Sequence, residues 1–324
     1  MKVLGEKEIL EHYPETKGIR LIRDGKRDHL VMELKEKAQV PYLTFPKLSA
    51  CDKVDHLMGT RVGGVSEGQF ASMNFSVLLG DAPERVLENY RRIACVLDCQ
   101  LEDMVGTFQT HTTNIRRVTR EDGGKGVIRT KDYRDIDGIV TNEKGLTLCA
   151  YTADCVPIFF ADPKACAVGL AHSGWRGTVG NIAGKMVAFM GEEFGSLPEN
   201  LIVGIGPSIC RDCYEVDETV AEQFVKMLGD DEAERKIIEE SGIYPMRGAF
   251  DKDVRKVVEP GKEPGKYQLD LWLANLILLC RAGVLPKNID VTDLCTACNP
   301  KLLFSHRASK GKRGNMGAFI RLKN

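Results

Sequence analysis

No apolar run in the 324 residues is long enough to cross a membrane: the longest, Leu271 to Cys280, is ten residues and is interrupted by Asn275. A bilayer-spanning helix needs roughly 20. An excess of either charge is also missing. Lys plus Arg number 45 and Asp plus Glu 46, a formal net charge of -1, so no global basic field draws in nucleic acid or an anionic membrane. Internal repeats, low-complexity tracts and Pro/Ser-rich linkers are absent, which argues against two independently tethered domains. The start, Met1 to Arg20, mixes Lys2, Glu6, Lys7, Glu8 and Glu11 among its apolar residues. It offers no uncharged core for a secretory signal, and a cytoplasmic location is expected. Two common enzyme motifs are missing as well, H-E-x-x-H and G-x-x-x-x-G-K-[ST]. Gly204-Ile205-Gly206-Pro207-Ser208-Ile209 begins like a dinucleotide fingerprint but lacks its third glycine, and the Rossmann reading is rejected.

What remains is an ordinary globular composition, 43% hydrophobic and 28% charged, in a chain long enough for one large domain. Around Asp24-Gly25 the charged N-terminal region predicts a turn, with Leu30, Val31, Met32 and Leu34 following as the second arm of a hairpin. Asp81-Ala82-Pro83-Glu84 reads as a helix start with Asp81 as its cap, and Val86, Tyr90, Ile93 and Leu97 as its buried face. Three short apolar strands are expected over Leu146–Tyr151, Val156–Ala161 and Ala165–Ala171. A helix over Thr178–Glu193, a strand over Leu201–Ile205, helices capped by Asp217 and Asp270, and a strand over Ile289–Leu294 follow. The acidic run Asp230, Asp231, Glu232, Glu234 with Glu239 and Glu240 reads as a solvated face or loop. Alternation of strands and helices in the second half gives the expected class: α/β (α+β), a single domain of mixed β-sheets flanked by helices. Residues 1–42 form an N-terminal extension in this reading, and 43–324 the domain.

Eleven cysteines, an odd number spread through a long chain, are expected to be mainly reduced thiols. Six histidines are present, and two of them stand in suggestive places. His111 follows Met104 to Phe108, and His172 ends an expected strand just before Ser173-Gly174-Trp175-Arg176-Gly177. Cys155 lies in a turn between two buried strands, after Asp154. Strand ends opening into turns are where α/β proteins gather functional side chains. One thiolate and two imidazoles would make a three-ligand zinc centre with an open fourth position, able to acidify a bound water or polarise an anion. The same residues also suit a Cys155 nucleophile with His172 as base and Asp154 or Gln109 as orienter. Spacing alone favours a core thiol and two satisfied polar histidines. Cys210-x-x-Cys213 and Cys295-x-x-Cys298 compete for the metal, although 81 residues separate them, far from the roughly 15–20 of a zinc ribbon.

Arginines in glycine-rich turns suggest a phosphate. Thr60-Arg61-Val62-Gly63-Gly64 and Ser305-His306-Arg307, followed by Gly311-Lys312-Arg313-Gly314-Asn315, could set guanidinium forks and backbone N–H groups around one, or be exposed turns. Lys301 to Lys323 carries seven Lys or Arg and no acid. Its two aromatics, Phe304 and Phe319, are not interleaved with the basic residues as stacking platforms, which favours a small phosphate over nucleic acid.

In combination these segments are specific. Thr60-Arg61-x-Gly63-Gly64-Val65-Ser66, Gln109-x-His111, Asp137-Gly138-x-x-Thr141, Thr152-Ala153-Asp154-Cys155-x-Pro157, His172-Ser173-Gly174-Trp175-Arg176-Gly177, Gly206-Pro207-Ser208-Ile209, Cys295-Thr296 and Phe304-Ser305-x-Arg307 occur in this order. From about His56 to Ile320 the chain closely resembles the multicopper polyphenol oxidoreductase (laccase)-like family, now regarded as purine nucleoside phosphorylases. The resemblance implies zinc held by His111, Cys155 and His172, with copper as the other candidate metal. It implies phosphorolysis of adenosine, inosine, guanosine and methylthioadenosine, with adenosine deaminase activity. Cys155, His172 and Asp154 are the expected catalytic residues, Asp154 as proton carrier. Arg61, Gln109, Arg176, His306 and Arg307 are the expected substrate and phosphate contacts. The expected partners are a nucleoside and phosphate, with neither nucleic acid nor membrane, acting on a monomer or small homo-oligomer. Rival readings are a cysteine hydrolase acting on an amide or peptidoglycan precursor, a zinc-stabilised binding protein, and a copper-dependent polyphenol oxidase. Six scattered histidines supply too few imidazoles for a multicopper site. The chain departs from the pattern where Leu57 follows His56 and where Ala308 follows Arg307, leaving Arg313 to replace a missing charge. Cys210, Cys213 and Cys298 stand outside it.

Overall fold

The structure, a computed structural model, describes residues 4–24, 32–229 and 256–324. Its elements run in chain order as helix α1 (Glu6–His12), strands β1 (Glu33–Lys37) and β2 (Val40–Thr44), helix α2 (Pro46–Ser49), strand β3 (Val54–Gly59) and helix α3 (Pro83–Leu97). Strands β4 (Met104–Gly106), β5 (Ile115–Arg117), β6 (Gly138–Thr141), β7 (Thr147–Thr152), β8 (Val156–Asp162) and β9 (Ala167–Ser173) follow. Then come helices α4 (Trp175–Val179) and α5 (Ile182–Phe194), strands β10 (Ile202–Ile205) and β11 (Glu215–Asp217), and helix α6 (Glu218–Leu228). Strands β12 (Val258–Pro260) and β13 (Lys266–Leu269), helix α7 (Leu271–Arg281), and strands β14 (Ile289–Val291) and β15 (Met316–Leu322) complete the set.

One six-stranded sheet has the order β1-β2-β3-β15-β7-β4, a second β14-β10-β8-β9-β6-β5, and a small antiparallel sheet β11-β13-β12. Both large sheets are mixed, each with a parallel pair at an edge: β4 on β7 in the first, β5 on β6 and β10 on β14 in the second. The burial of strand side chains explains the layering. Along β8, Phe159 and Ala161 face the first sheet, where Leu148, Ala150 and Ile320 meet them. Ile158 and Phe160 point the other way, onto Met186 and Met190 of α5 and the apolar face of α7. On the outer side of the first sheet, Cys149 and Phe319 pack under Val86, Tyr90 and Ile93 of α3. The molecule is thus a helix, two sheets and a helical layer, the mixed-sheet α/β arrangement expected. Strands buried on both faces lose the polar alternation of half-exposed ones, which is why β8 and β9 are apolar almost throughout. No helix among the described residues is long and apolar enough to cross a membrane.

Several local expectations are corrected. The proposed turn at Asp24-Gly25 and the acidic run from Asp230 lie outside the described residues or at their edge. The observed hairpin is later, β1 to β2, closed by Ala38 and Gln39 at φ 53° and 60°. Left-handed pairs at such a turn usually carry Asn or Gly, so this one has no turn signature. The helix α3 is capped at Ala82 and not at Asp81, whose carboxylate accepts from the Asn74 amide (2.8 Å) and the Ala82 N–H (2.9 Å). The single helix expected over Thr178–Glu193 is two, broken at Gly180-Asn181, where left-handed Asn181 caps α5 by accepting from the Gly184 N–H at 3.0 Å. β15 lies in the stretch read as basic, and it is the central strand of the first sheet.

Candidate active site

His111, Cys155 and His172 reach one point from three loops or strand ends. His172 is the next-to-last residue of β9, opposite Pro157 of β8. Cys155 stands in the turn joining β7 to β8, just after Asp154, whose φ of 87° makes the turn tight. His111 follows β4 in a loop organised by one buried carboxylate. Asp137 accepts from the backbone N–H groups of Thr110 (3.1 Å), His111 (3.1 Å) and Thr112 (2.8 Å), and from the Thr112 hydroxyl (2.9 Å). The same carboxylate meets His172 Nδ1 at 2.8 Å. One residue therefore sets the His111 backbone, at φ 66°, and the tautomer of His172, whose Nε2 is left to face the site.

One ligand atom from each of the three residues lies within 4.8 Å of the others, and Cys155 Sγ is 3.8 Å from His111 Nε2. A sulfur and an imidazole nitrogen on one tetrahedral zinc stand about 3.5 Å apart, so the donor set fits such an ion with little movement. Gly174 makes the room: a Cβ there would come within 2.8 Å of His111 Cδ2 and 3.1 Å of Cys155 Sγ. Burial works against charge on Cys155, but His172 and His111 beside it bring its thiol down to about 6. Burial likewise opposes charge on His172, and Cys155 and Asp137 outweigh it, raising the imidazole to about 9. A thiolate is the form that binds metal or attacks as a nucleophile.

The triad opens into a cleft of about 630 Å³. Phe75, Phe108 and Tyr151 give it aromatic walls, while Arg129, Lys131, Arg134 and Arg313 give it four cations with no carboxylate in the lining. Arg313 is half-buried, and its Nε is enclosed without a hydrogen-bond partner among the described residues. A buried guanidinium donor left unpaired is costly unless something else accepts from it. Lys131 donates to the Thr107 carbonyl at 2.7 Å and lies over the Phe108 ring.

Other residues singled out by sequence are placed differently. Gln109 lines the cleft, but its amide is used as a clamp, donating to the Tyr151 carbonyl (2.6 Å) and accepting from the Tyr151 N–H (2.7 Å). Asp154 directs its carboxylate to the Thr296 hydroxyl (2.6 Å) and the Arg307 N–H (2.7 Å), outside the cleft lining. Arg61 is spent on the Ala71 and Pro300 carbonyls and covers Phe304. Arg176 lies over Trp175, and Arg307 over Tyr214 with donations to the Cys213 and Glu215 carbonyls. His306 is exposed and does not line the cleft. Sequence reading assigned no role to Asp137, Lys131 or Arg134. Asp137 stood in the quoted Asp137-Gly138 segment, whereas the two cations carry no local motif at all.

Known proteins share this chain's sequence and fold. The family model for multi-copper polyphenol oxidoreductase laccase matches residues 55–323. A protein named purine nucleoside phosphorylase YlmD from Geobacillus stearothermophilus is 38% identical over 265 residues, 81% of this chain and 87% of its own length. The mouse protein named purine nucleoside phosphorylase LACC1 is 32% identical over 294 residues, 89% of this chain and 59% of its own. The crystal structure of the Geobacillus YlmD superimposes with a TM-score of 0.75 at 35% identity, over 90% of this chain and 99% of that one. With the family model spanning most of the chain and the fold shared at this level, the chain belongs to the multi-copper polyphenol oxidoreductase laccase family.

Proposed function

We propose that the chain is a purine nucleoside phosphorylase that uses a zinc centre of His111, Cys155 and His172. The carrying observation is that the triad, three aromatic rings and an unpaired buried arginine donor share one cleft without a carboxylate. The names of its relatives point to the same reaction. Phe108 and Tyr151, both partly exposed in the cleft lining, offer ring surface against which a flat purine can pack, while Phe75 is buried against Tyr90 and Phe319. Arg313, whose Nη1 donates to Asn315 Oδ1, keeps its unpartnered Nε for phosphate, with Lys131 and Arg134 adding charge. These three replace Arg61 and Arg176 as the proposed anion contacts. Zinc, when bound, contributes Lewis acidity. Asp137 keeps the His172 imidazole and the His111 loop aligned. Phosphorolysis breaks the bond between the purine nitrogen and the anomeric carbon, a phosphate oxygen bonds that carbon, and the proton lost by the phosphate ends on the purine; the products are free base and the sugar 1-phosphate, ribose 1-phosphate or, from methylthioadenosine, 5-methylthioribose 1-phosphate. Adenosine, inosine, guanosine and methylthioadenosine are the proposed nucleosides. Adenosine deamination by water is proposed as a second activity of the same centre, and the cytoplasm as the place of action.

A second reading rests on a specific arrangement. Cys155, His172 and Asp137 stand in the order of a thiol, base and orienting carboxylate, the constellation of a cysteine hydrolase. A multicopper oxidase is less well served. Among the described residues, His12 pairs with Glu36 and His306 is exposed. His56 is buried, accepting from the Phe45 N–H at 2.8 Å, and burial pushes its imidazole down to about 3.

Chromatography after incubation with adenosine or inosine, with and without phosphate, tests the proposal. Free base appearing only with phosphate supports phosphorolysis, and inosine from adenosine without phosphate supports deamination. The activity should fall by at least 100-fold in His111→Ala and Cys155→Ala. A metal-free native protein rapidly alkylated at Cys155, with no nucleoside consumed, would overturn the proposal and favour a Cys155 nucleophile.

A further inference from the structure

Away from the candidate active site, four thiols meet at a second point. Cys210 and Cys213 follow β10, and Cys295 and Cys298 follow β14. These two strands are parallel neighbours, with Val203 beside Ile289 and Ile205 beside Val291. Pairing resumes between Ser208 and Cys295. Parallel neighbours deliver their following loops to the same end of a sheet, which cancels the separation of the two CxxC pairs along the chain.

All four sulfurs lie within 4.8 Å of one another, and Cys213 Sγ is 3.5 Å from Cys298 Sγ. Sulfurs on one tetrahedral zinc stand about 3.8 Å apart; a disulfide would need about 2.05 Å. The backbone is aimed accordingly. The N–H groups of Cys210 (3.2 Å) and Cys298 (3.4 Å) both donate to Cys295 Sγ, the polarity that a negatively charged sulfur requires. Cys295 is buried and the other three are half-buried. With four protein sulfurs and no open position, such a site is closed, as in structural zinc centres.

We propose that Cys210, Cys213, Cys295 and Cys298 form a second, four-thiolate zinc site that clamps the loops following β10 and β14. The clamp reaches the active site through Asp154. Thr296, between Cys295 and Cys298, donates its hydroxyl to the Asp154 carboxylate (2.6 Å), and the Ile209 N–H, next to Cys210, donates to the Asp154 carbonyl (3.0 Å). Asp154 directly precedes Cys155, so the second metal steadies the turn that presents the first metal's thiolate. The inference does not depend on the reaction catalysed.

Elemental analysis of the full chain, purified under reducing conditions, gives the test. Two zinc ions per chain are expected, falling to one in Cys298→Ser and to one in Cys155→Ala. Should Cys298→Ser fail to fold, the unaltered protein still decides. Stepwise titration with a mercurial must release one zinc with four thiols, and cobalt exchange must give the intense absorption of a tetrahedral tetrathiolate. One zinc per chain that Cys155→Ala abolishes, iron in place of zinc, or a Cys213–Cys298 disulfide found by mass spectrometry would overturn the proposal.

Discussion

Asp137 carries more of the site than either histidine does alone. It is fully buried, and its two oxygens take three backbone N–H groups, the Thr112 hydroxyl and His172 Nδ1. Replacing it by Asn keeps the shape but removes the charge that orients the imidazole. Asp137→Asn should weaken zinc binding by roughly 10- to 100-fold, as measured by competition with a chromophoric chelator. Gly174 tests the space rather than the charge. Its φ of -70° and ψ of 176° suit alanine, so Gly174→Ala carries no backbone penalty, but the added methyl meets His111 and Cys155. The variant should melt near the parent temperature while losing most of its zinc at the His111 centre. Retention of that zinc would show that the three donors do not converge as described.

Elements, not local propensity, bring these residues together. Ser173 closes β9 beside His172 and donates to Asn275 Oδ1 of α7 at 2.9 Å. Asn275 donates to the Leu271 carbonyl (2.8 Å) and to Thr178 of α4 (3.3 Å). All three side chains of this network are buried. Asn275→Ala should cost about 1–3 kcal/mol of unfolding free energy, because polar partners stay buried without their acceptor or donor; urea unfolding measures it. β8, β9, α6 and α7 were legible in the sequence, since their apolar runs and the Asp270 cap are local signals, the cap accepting from the Leu273 N–H at 3.0 Å. β15 was not, because Gly317 and Arg321 interrupt its run and basic neighbours dominate its composition. The β1–β2 turn at Ala38 and Gln39 was equally silent, its left-handed pair lacking Asn or Gly. Within the site, Cys155 and His172 were legible beside expected strands, but spacing did not join them to the loop residue His111; only the family resemblance did. The two CxxC pairs were legible as metal candidates, but their meeting was not, because parallel strand pairing leaves no mark on residue spacing.

At the scale of the whole molecule, near-zero net charge coexists with a cleft whose lining holds four cations and no carboxylate. A local field of this kind suits a small dianion and is screened by salt. Arg313→Ala should raise KM for phosphate by roughly 10- to 100-fold, the loss of a charge-assisted hydrogen bond of about 1.5–3 kcal/mol, with far less change in KM for the nucleoside. The same substitution at Arg61, whose guanidinium serves the Ala71 and Pro300 carbonyls, should lower stability and leave KM for phosphate near that of the parent.

The proposed reaction joins phosphate to the sugar of a purine nucleoside in the cleft. Its most direct test is the balance of products from inosine and phosphate with zinc-replete protein. Phosphate consumed, ribose 1-phosphate formed and base released should be equal, and all three should vanish in Cys155→Ala. Base released without phosphate uptake, or no base released at all, would contradict it.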